Sequence, residues 1–237
     1  MARIDIRGVM VPNDYAWWYR YLDEDCTCPK DVRDAIDALG EGEDLDVYIN
    51  SGGGVIDVGS EIYALLREVS AKTNVKIHIT GEACSAASVA AMAAWCEMAP
   101  TALMMVHCVS TYGGGNHNDF EHTAEMLRTA DKAMCSAYTE KTGMTEEEAL
   151  DMMEHETWLT AAQAKEKGLI DAVMFEEPEI GAFTNSVGFK LPTVDQMEAV
   201  KRLMANSEPQ KTEETETLVK DGAIARLNFL RLTNRRN

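Results

Sequence analysis

Apolar runs of period two alternate with stretches of helical spacing from residue 3 to about residue 175, which restricts the chain to folds that pack helices on a largely parallel sheet. Residues 3–11 (RIDIRGVMV) alternate like a half-buried strand. Residues 29–39 begin on Pro29 and stop at Gly40, the asymmetry expected of a helix. A strand is expected over 45–50, ended by Gly52, Gly53 and Gly54. A helix over 55–70 then buries Val55, Ile56, Ile62, Leu65, Leu66 and Val69. Strand 75–80, a small-residue helix from about 84 to 95, and strand 102–108 follow. Past a glycine-bearing loop (110–118), a long helix is expected over 119–142, ending at Gly143. Thr145 with Glu148 forms a capping box for helix 146–155. Thr160 caps a short helix that ends near Gly168, and LIDAVMF supplies a last strand.

The pattern changes after residue 175. Residues 176–193 carry Pro178, Gly181, Gly188 and Pro192 and read as a linker. Helices are expected over 194–206 and 218–233, on either side of the polar stretch 207–217. The domain reading is therefore 1–175 as the body and 176–237 as a linker with a partly helical C-terminal extension.

Charge excludes one class of partner. Asp and Glu outnumber Lys and Arg by 30 to 13 over residues 1–175 and by 10 to 9 over residues 176–237. An acidic body repels phosphates, so nucleic acid is not an expected partner. No apolar run approaches the ~20 residues of a membrane helix, and the start (MARIDIRGVMV) lacks the apolar block of a secretory signal. The six scattered cysteines read as reduced thiols, which with the missing signal points to the cytoplasm. No metal or other cofactor is expected.

Segment 81–88 (GEACSAAS) holds the most informative residues. There Ser85 stands where a buried strand meets a helix of tiny side chains. Small neighbours let another backbone approach, and a helix start leaves N–H groups free for an oxyanion. Serine is also a common helix cap, so the segment alone does not decide. His107, at the end of an apolar strand, can take a hydroxyl proton; a lone core histidine is more often structural. Glu156, just before the Thr160 cap, can orient an imidazole, although acids near helix starts are usually only solvated.

Together these residues resemble ClpP, the proteolytic subunit of the Clp protease, over about residues 3–175. Four ordered blocks carry the resemblance: YINSGGGVIDVGSEIY, GEACSAAS, APTALMMVHCVSTYGGG and ETWLTAAQAKEKGLIDAV. The resemblance implies a ClpP/crotonase-like spiral of β-β-α units, here with a C-terminal appendage. It implies Ser85 as nucleophile, His107 as base and Glu156 as the third member, where that family usually has Asp. It implies Gly54 and Ala86 as the backbone donors of the oxyanion hole. The glycine turn also departs from the family, reading Ser51-Gly52-Gly53-Gly54 in place of Ser-Pro-Gly-Gly. The ETWLTA wording and the extra C-terminal segment look more like phage and prophage ClpP-like proteases, which implies maturation cleavage of capsid or scaffold proteins. Homo-oligomeric rings are typical of the family, with helix 119–142 as the handle between them. The resemblance allows an ATPase unfoldase as partner, but nothing in the residues signals one.

Alternatives stay open. Cys84 could be a thiol nucleophile, His155 could replace His107, and His117 with His122 could bind metal. The related crotonase-type enzymes bind acyl-CoA without a serine nucleophile, and an inactive ring-forming homologue would keep the fold alone. Fluorophosphonate labelling at Ser85 separates a serine peptidase from both.

Overall fold

The computed structural model describes residues 2–176 together with 197 and 198. The expected linker and appendage of 176–237 lie outside the described residues, apart from residues 176, 197 and 198. In chain order the elements are β1 (Ala2–Met10), α1 (Ala16–Tyr21), β2 (Cys26–Thr27), α2 (Pro29–Asp37), β3 (Leu45–Gly54), α3 (Ile56–Ser70), β4 (Val75–Cys84), α4 (Ala86–Ala91), β5 (Trp95–Met98) and β6 (Leu103–Val106). Then come α5 (His117–Thr142), α6 (Glu146–Glu154), β7 (Thr157–Thr160), α7 (Ala161–Glu166) and β8 (Ala172–Val173).

These strands form one sheet in the order β2-β1-β3-β4-β5-β8, with β6 joined to the far half of β4 and β7 joined to β6. Every pairing is parallel except that of β6 with β7, so the body is the mostly parallel α/β fold that the alternation predicts. Strand alternation sorts the side chains by face. Ile4, Ile6, Val47, Ile49, Ile77, Ile79, Cys96 and Met98 are buried in one core that α3 and α4 also enter. Most of the alternate positions are polar. Across β3, β4 and β5 a His78 ring sits between two carboxylates, Asp46 Oδ1 at 3.0 Å and Glu97 Oε1 at 2.7 Å.

β3 does not stop at the glycines, as expected, but runs through them to Gly54. The reason is close approach. A Cβ on Gly53 would lie 2.5 Å from the Cys84 carbonyl oxygen, and one on Gly54 would lie 2.2 Å from that of Met10. Only glycine lets β3 thread between the ends of β1 and β4, and both residues have positive φ.

The helix expected from 84 to 95 is shorter, because residues 95–98 pair with Lys76–Ile79 of β4 and become β5. Local alanine propensity yields there to a sheet ladder. α5 starts two residues earlier than expected, since the Asn116 side chain accepts from Asn118 N (2.9 Å) and Asp119 N (3.4 Å). The box at Thr145 forms as expected, and Thr160 caps α7 as expected, there as a box with Gln163. The last strand contracts to Ala172–Val173.

Only the C-terminal part of α5 is anchored in the body, through Cys135, Ala137 and Tyr138. Tyr138 is 2% exposed, and its hydroxyl lies 2.8 Å from Ser88 Oγ on α4. Tyr138→Phe should remove one buried hydrogen bond, at about 1 kcal/mol. For a domain of this size that is a fall of about 2–4 °C in thermal midpoint, checked by calorimetry on both proteins.

Candidate active site

Ser85 sits at the turn between β4 and α4, with φ 55 and ψ −126. A non-glycine residue in this region carries strain of order 1–3 kcal/mol and persists only where neighbours enforce it. Its amide donates to the Met105 carbonyl (2.9 Å), tying the turn to β6. Its carbonyl accepts from Ser88 N (3.0 Å) and Ser88 Oγ (2.7 Å), and Ser88 is itself held by Tyr138. All six residues of α4 are buried, and its side chains are small enough to let the helix begin directly beneath the sheet.

His107 follows β6 by one residue, and its Nε2 lies 2.8 Å from Ser85 Oγ. β4 pairs with β6 from Glu82↔Leu103 to Cys84↔Met105, so the two strand ends that carry the serine and the histidine run side by side. Two residues 22 apart in sequence thus stand in direct hydrogen-bond contact, the geometry that a nucleophile and its base require.

Glu156 is brought to the same strand end but not into the pair. In the antiparallel ladder Val106 faces Thr157, so the next step would set His107 opposite Glu156. Glu156 however adopts φ 47, is exposed, and accepts a hydrogen bond on Oε1 from Trp158 Nε1 at 3.2 Å. Among the described residues no hydrogen bond joins it to His107.

Gly54 and Ala86 both line a small cavity of about 60 Å³ with Ser85 and His107. Ala86 is the first residue of α4, where the amide has no partner within the helix. The amide of Gly53 is already committed to Ser51 Oγ at 3.1 Å, which leaves Gly54 as the exposed glycine beside the cavity. Ile56, Val89, Met134 and Tyr138 supply the larger side chains of its lining. The cavity opens along Gly54, Ile56, Val109 and Ser110 into a larger groove of about 1020 Å³ between the start of α3 and the N-terminal part of α5.

The other sequence candidates stand elsewhere. Cys84 is buried beside Glu82, and burial together with that carboxylate pushes its thiol up to about 12, the reverse of an activated cysteine. His155 is exposed at the end of α6 with Nδ1 2.8 Å from the Asp151 carbonyl oxygen. His122 lines the wall of the groove. Among the described residues no three His, Cys, Asp or Glu side chains converge as a metal site. What sequence reasoning missed is the hold on the turn, Ser88 and Tyr138. The only hint of it was a serine and a tyrosine on helical faces otherwise apolar.

Gly53→Ala should place a methyl within 2.8 Å of Ser85 Cβ and spoil the turn. A fluorophosphonate should then label the variant at least tenfold more slowly, whereas Cys84→Ala should label at about the unaltered rate. Labelling followed by intact-mass spectrometry checks both.

A family model described as Clp protease matches residues 34–177. Two relatives from two strains of Bacteroides fragilis, both described as ATP-dependent Clp protease proteolytic subunit, are 29% identical over 145 residues. That stretch is 60% of this chain and 69% and 65% of the two relatives, so the chain spans about two thirds of the length of the curated relatives it matches. Among solved structures, a variant of ClpP1 from Listeria monocytogenes superposes with a TM-score of 0.58 at 19% identity, covering 73% of this chain and 91% of that one. At that identity the likeness speaks for the fold.

Proposed function

The chain belongs to the Clp protease family, and from that premise we propose that it is a serine endopeptidase acting through Ser85 and His107. The observation that carries this reading is the 2.8 Å contact between His107 Nε2 and Ser85 Oγ at the mouth of an apolar groove.

In the proposed reaction Ser85 Oγ attacks the peptide carbonyl carbon while its proton passes to His107 Nε2. The amides of Gly54 and Ala86 hold the oxyanion of the tetrahedral intermediate. On collapse the C–N bond breaks, and the leaving amine takes the proton from His107. Water then attacks the acyl-enzyme, giving its proton to His107. The carboxylic acid leaves as Ser85 regains a proton.

Glu156 is the proposed positioning residue for His107. The ladder register supports this, because it sets the two residues opposite each other one step past the last pair. The side chain must leave Trp158 to reach the imidazole. Glu156→Gln should lower kcat by on the order of 10²–10⁴ with KM little changed, a split a purely structural role would not produce.

The proposed substrates are proteins, and the proposed role is processing of capsid or scaffold proteins during phage assembly. The reading rests on the ETWLTA block and on the extra C-terminal segment. A second reading, a proteolytic subunit served by an ATPase unfoldase, is favoured by the printed names of the two relatives. The protein is proposed to work as a homo-oligomer. The N-terminal part of α5 supports this, since it leaves Phe120 and Met126 each 55% exposed. A cytoplasmic location is proposed from the six cysteines, all of which are free thiols.

The direct test is hydrolysis of an unfolded protein substrate by the full chain without ATP. Turnover is expected, and it should fall by several orders of magnitude in Ser85→Ala. Equal activity in that variant would overturn the serine mechanism. Turnover that depends on an added ATPase would favour the second reading.

A further inference from the structure

His107 lies just beyond β6, and residues 107–116 form no regular structure. A base outside a strand has to be held by other means, and two backbone ties follow it directly. Cys108 N donates to the Met153 carbonyl of α6 at 3.1 Å. Val109 N donates to Asp131 Oδ1 of α5 at 2.6 Å. The second is a hydrogen bond to a charged acceptor, the stronger class. Asp131 is partly buried on α5, one turn before the anchor at Cys135 and three residues before Met134 of the small cavity. It faces the Cys108 thiol as well: burial first, then the Asp131 charge and a hydrogen bond to it, push that thiol up to about 11.

From this geometry we infer that Asp131 is a positioning residue for His107: its carboxylate clamps the backbone two residues past the base and so sets the imidazole against Ser85. The clamp also fixes Val109 and Ser110, which line both the small cavity and the groove. One carboxylate thus couples the base to the substrate wall. It also links the catalytic loop to α5, so a displacement of that helix reaches His107 through a single hydrogen bond. A mere helix-surface aspartate would point to water or to a lysine.

The inference rests on the reading of Ser85 and His107 as the reacting pair. Failure of that reading would show separately, as labelling that persists in Ser85→Ala. The probe is a small fluorophosphonate, which reports the Ser85–His107 geometry without filling the groove. Three variants of the full chain are compared at equal concentration, with thermal unfolding measured on each. Asp131→Asn keeps an oxygen at the same reach and should label within about threefold of the unaltered rate. Asp131→Glu keeps the charge but moves the oxygens out by one methylene, and Asp131→Ala removes the acceptor. Both should label at least tenfold more slowly, since a misplacement of about 1 Å costs on the order of 10²-fold. Asp131→Glu is the deciding variant, because it preserves charge and hydrogen bonding for folding; if Asp131→Ala does not fold, Asp131→Glu alone carries the test. Slow labelling by Asp131→Glu with an unchanged unfolding midpoint, and recovery in Asp131→Asn, supports the clamp. Labelling of Asp131→Glu at the unaltered rate, or Asp131→Asn as slow as Asp131→Glu, overturns it.

Discussion

The geometry of the candidate site depends on one strained residue. Ser85 turns the chain from a buried strand into a buried helix with φ 55, and nothing local favours that conformation. It is enforced from three sides. β6 accepts the Ser85 amide, Ser88 donates twice to its carbonyl, and the Gly53 backbone presses against it from β3. Tyr138 secures Ser88 from α5. Because α4 is built of Ala, Ser and Val, these neighbours can come close enough to impose the turn. Larger side chains there would force the elements apart before the strain could be held.

The same arrangement accounts for the position of His107. β4 changes partners along its length, pairing with β5 through Ile79 and with β6 from Glu82. The second half of β4 therefore delivers Ser85 beside the end of β6, and His107 follows directly. The sheet reversal at β7 then returns the chain to that end with Glu156. Ser85 and His107 meet, and Glu156 reaches the same end with its side chain turned away, because two strand pairings end at the same level. The side chains of Glu156 and Asp131 divide two tasks there: the first is turned to Trp158, and the second holds the backbone past His107.

Much of this was legible in the sequence, for identifiable reasons. The main helices and strands follow from period and caps, as at Thr145 and Thr160, where side chain and amide are three residues apart and the signal is local. Ser85 and His107 were visible because a serine among alanines and a histidine ending an apolar strand are chemically conspicuous. What escaped depends on tertiary contact. The small-residue helix expected to about residue 95 stops at Ala91, and only the β4 edge makes residues 95–98 a strand. The glycine turn extends β3 because two other backbones crowd it, which no window of sequence records. The direction of the Glu156 side chain follows from its φ and from Trp158. The clamp at Asp131 joins residues 22 apart through a backbone amide, which has no sequence signature at all.

In the proposed mechanism the strained turn arms one serine through one histidine. Peptide mapping by tandem mass spectrometry after fluorophosphonate treatment tests it most directly, on the unaltered chain and on His107→Ala. A single adduct is expected, on Ser85, and it should fall away in the His107 variant. An adduct on another residue, or undiminished modification of Ser85 without His107, would contradict it.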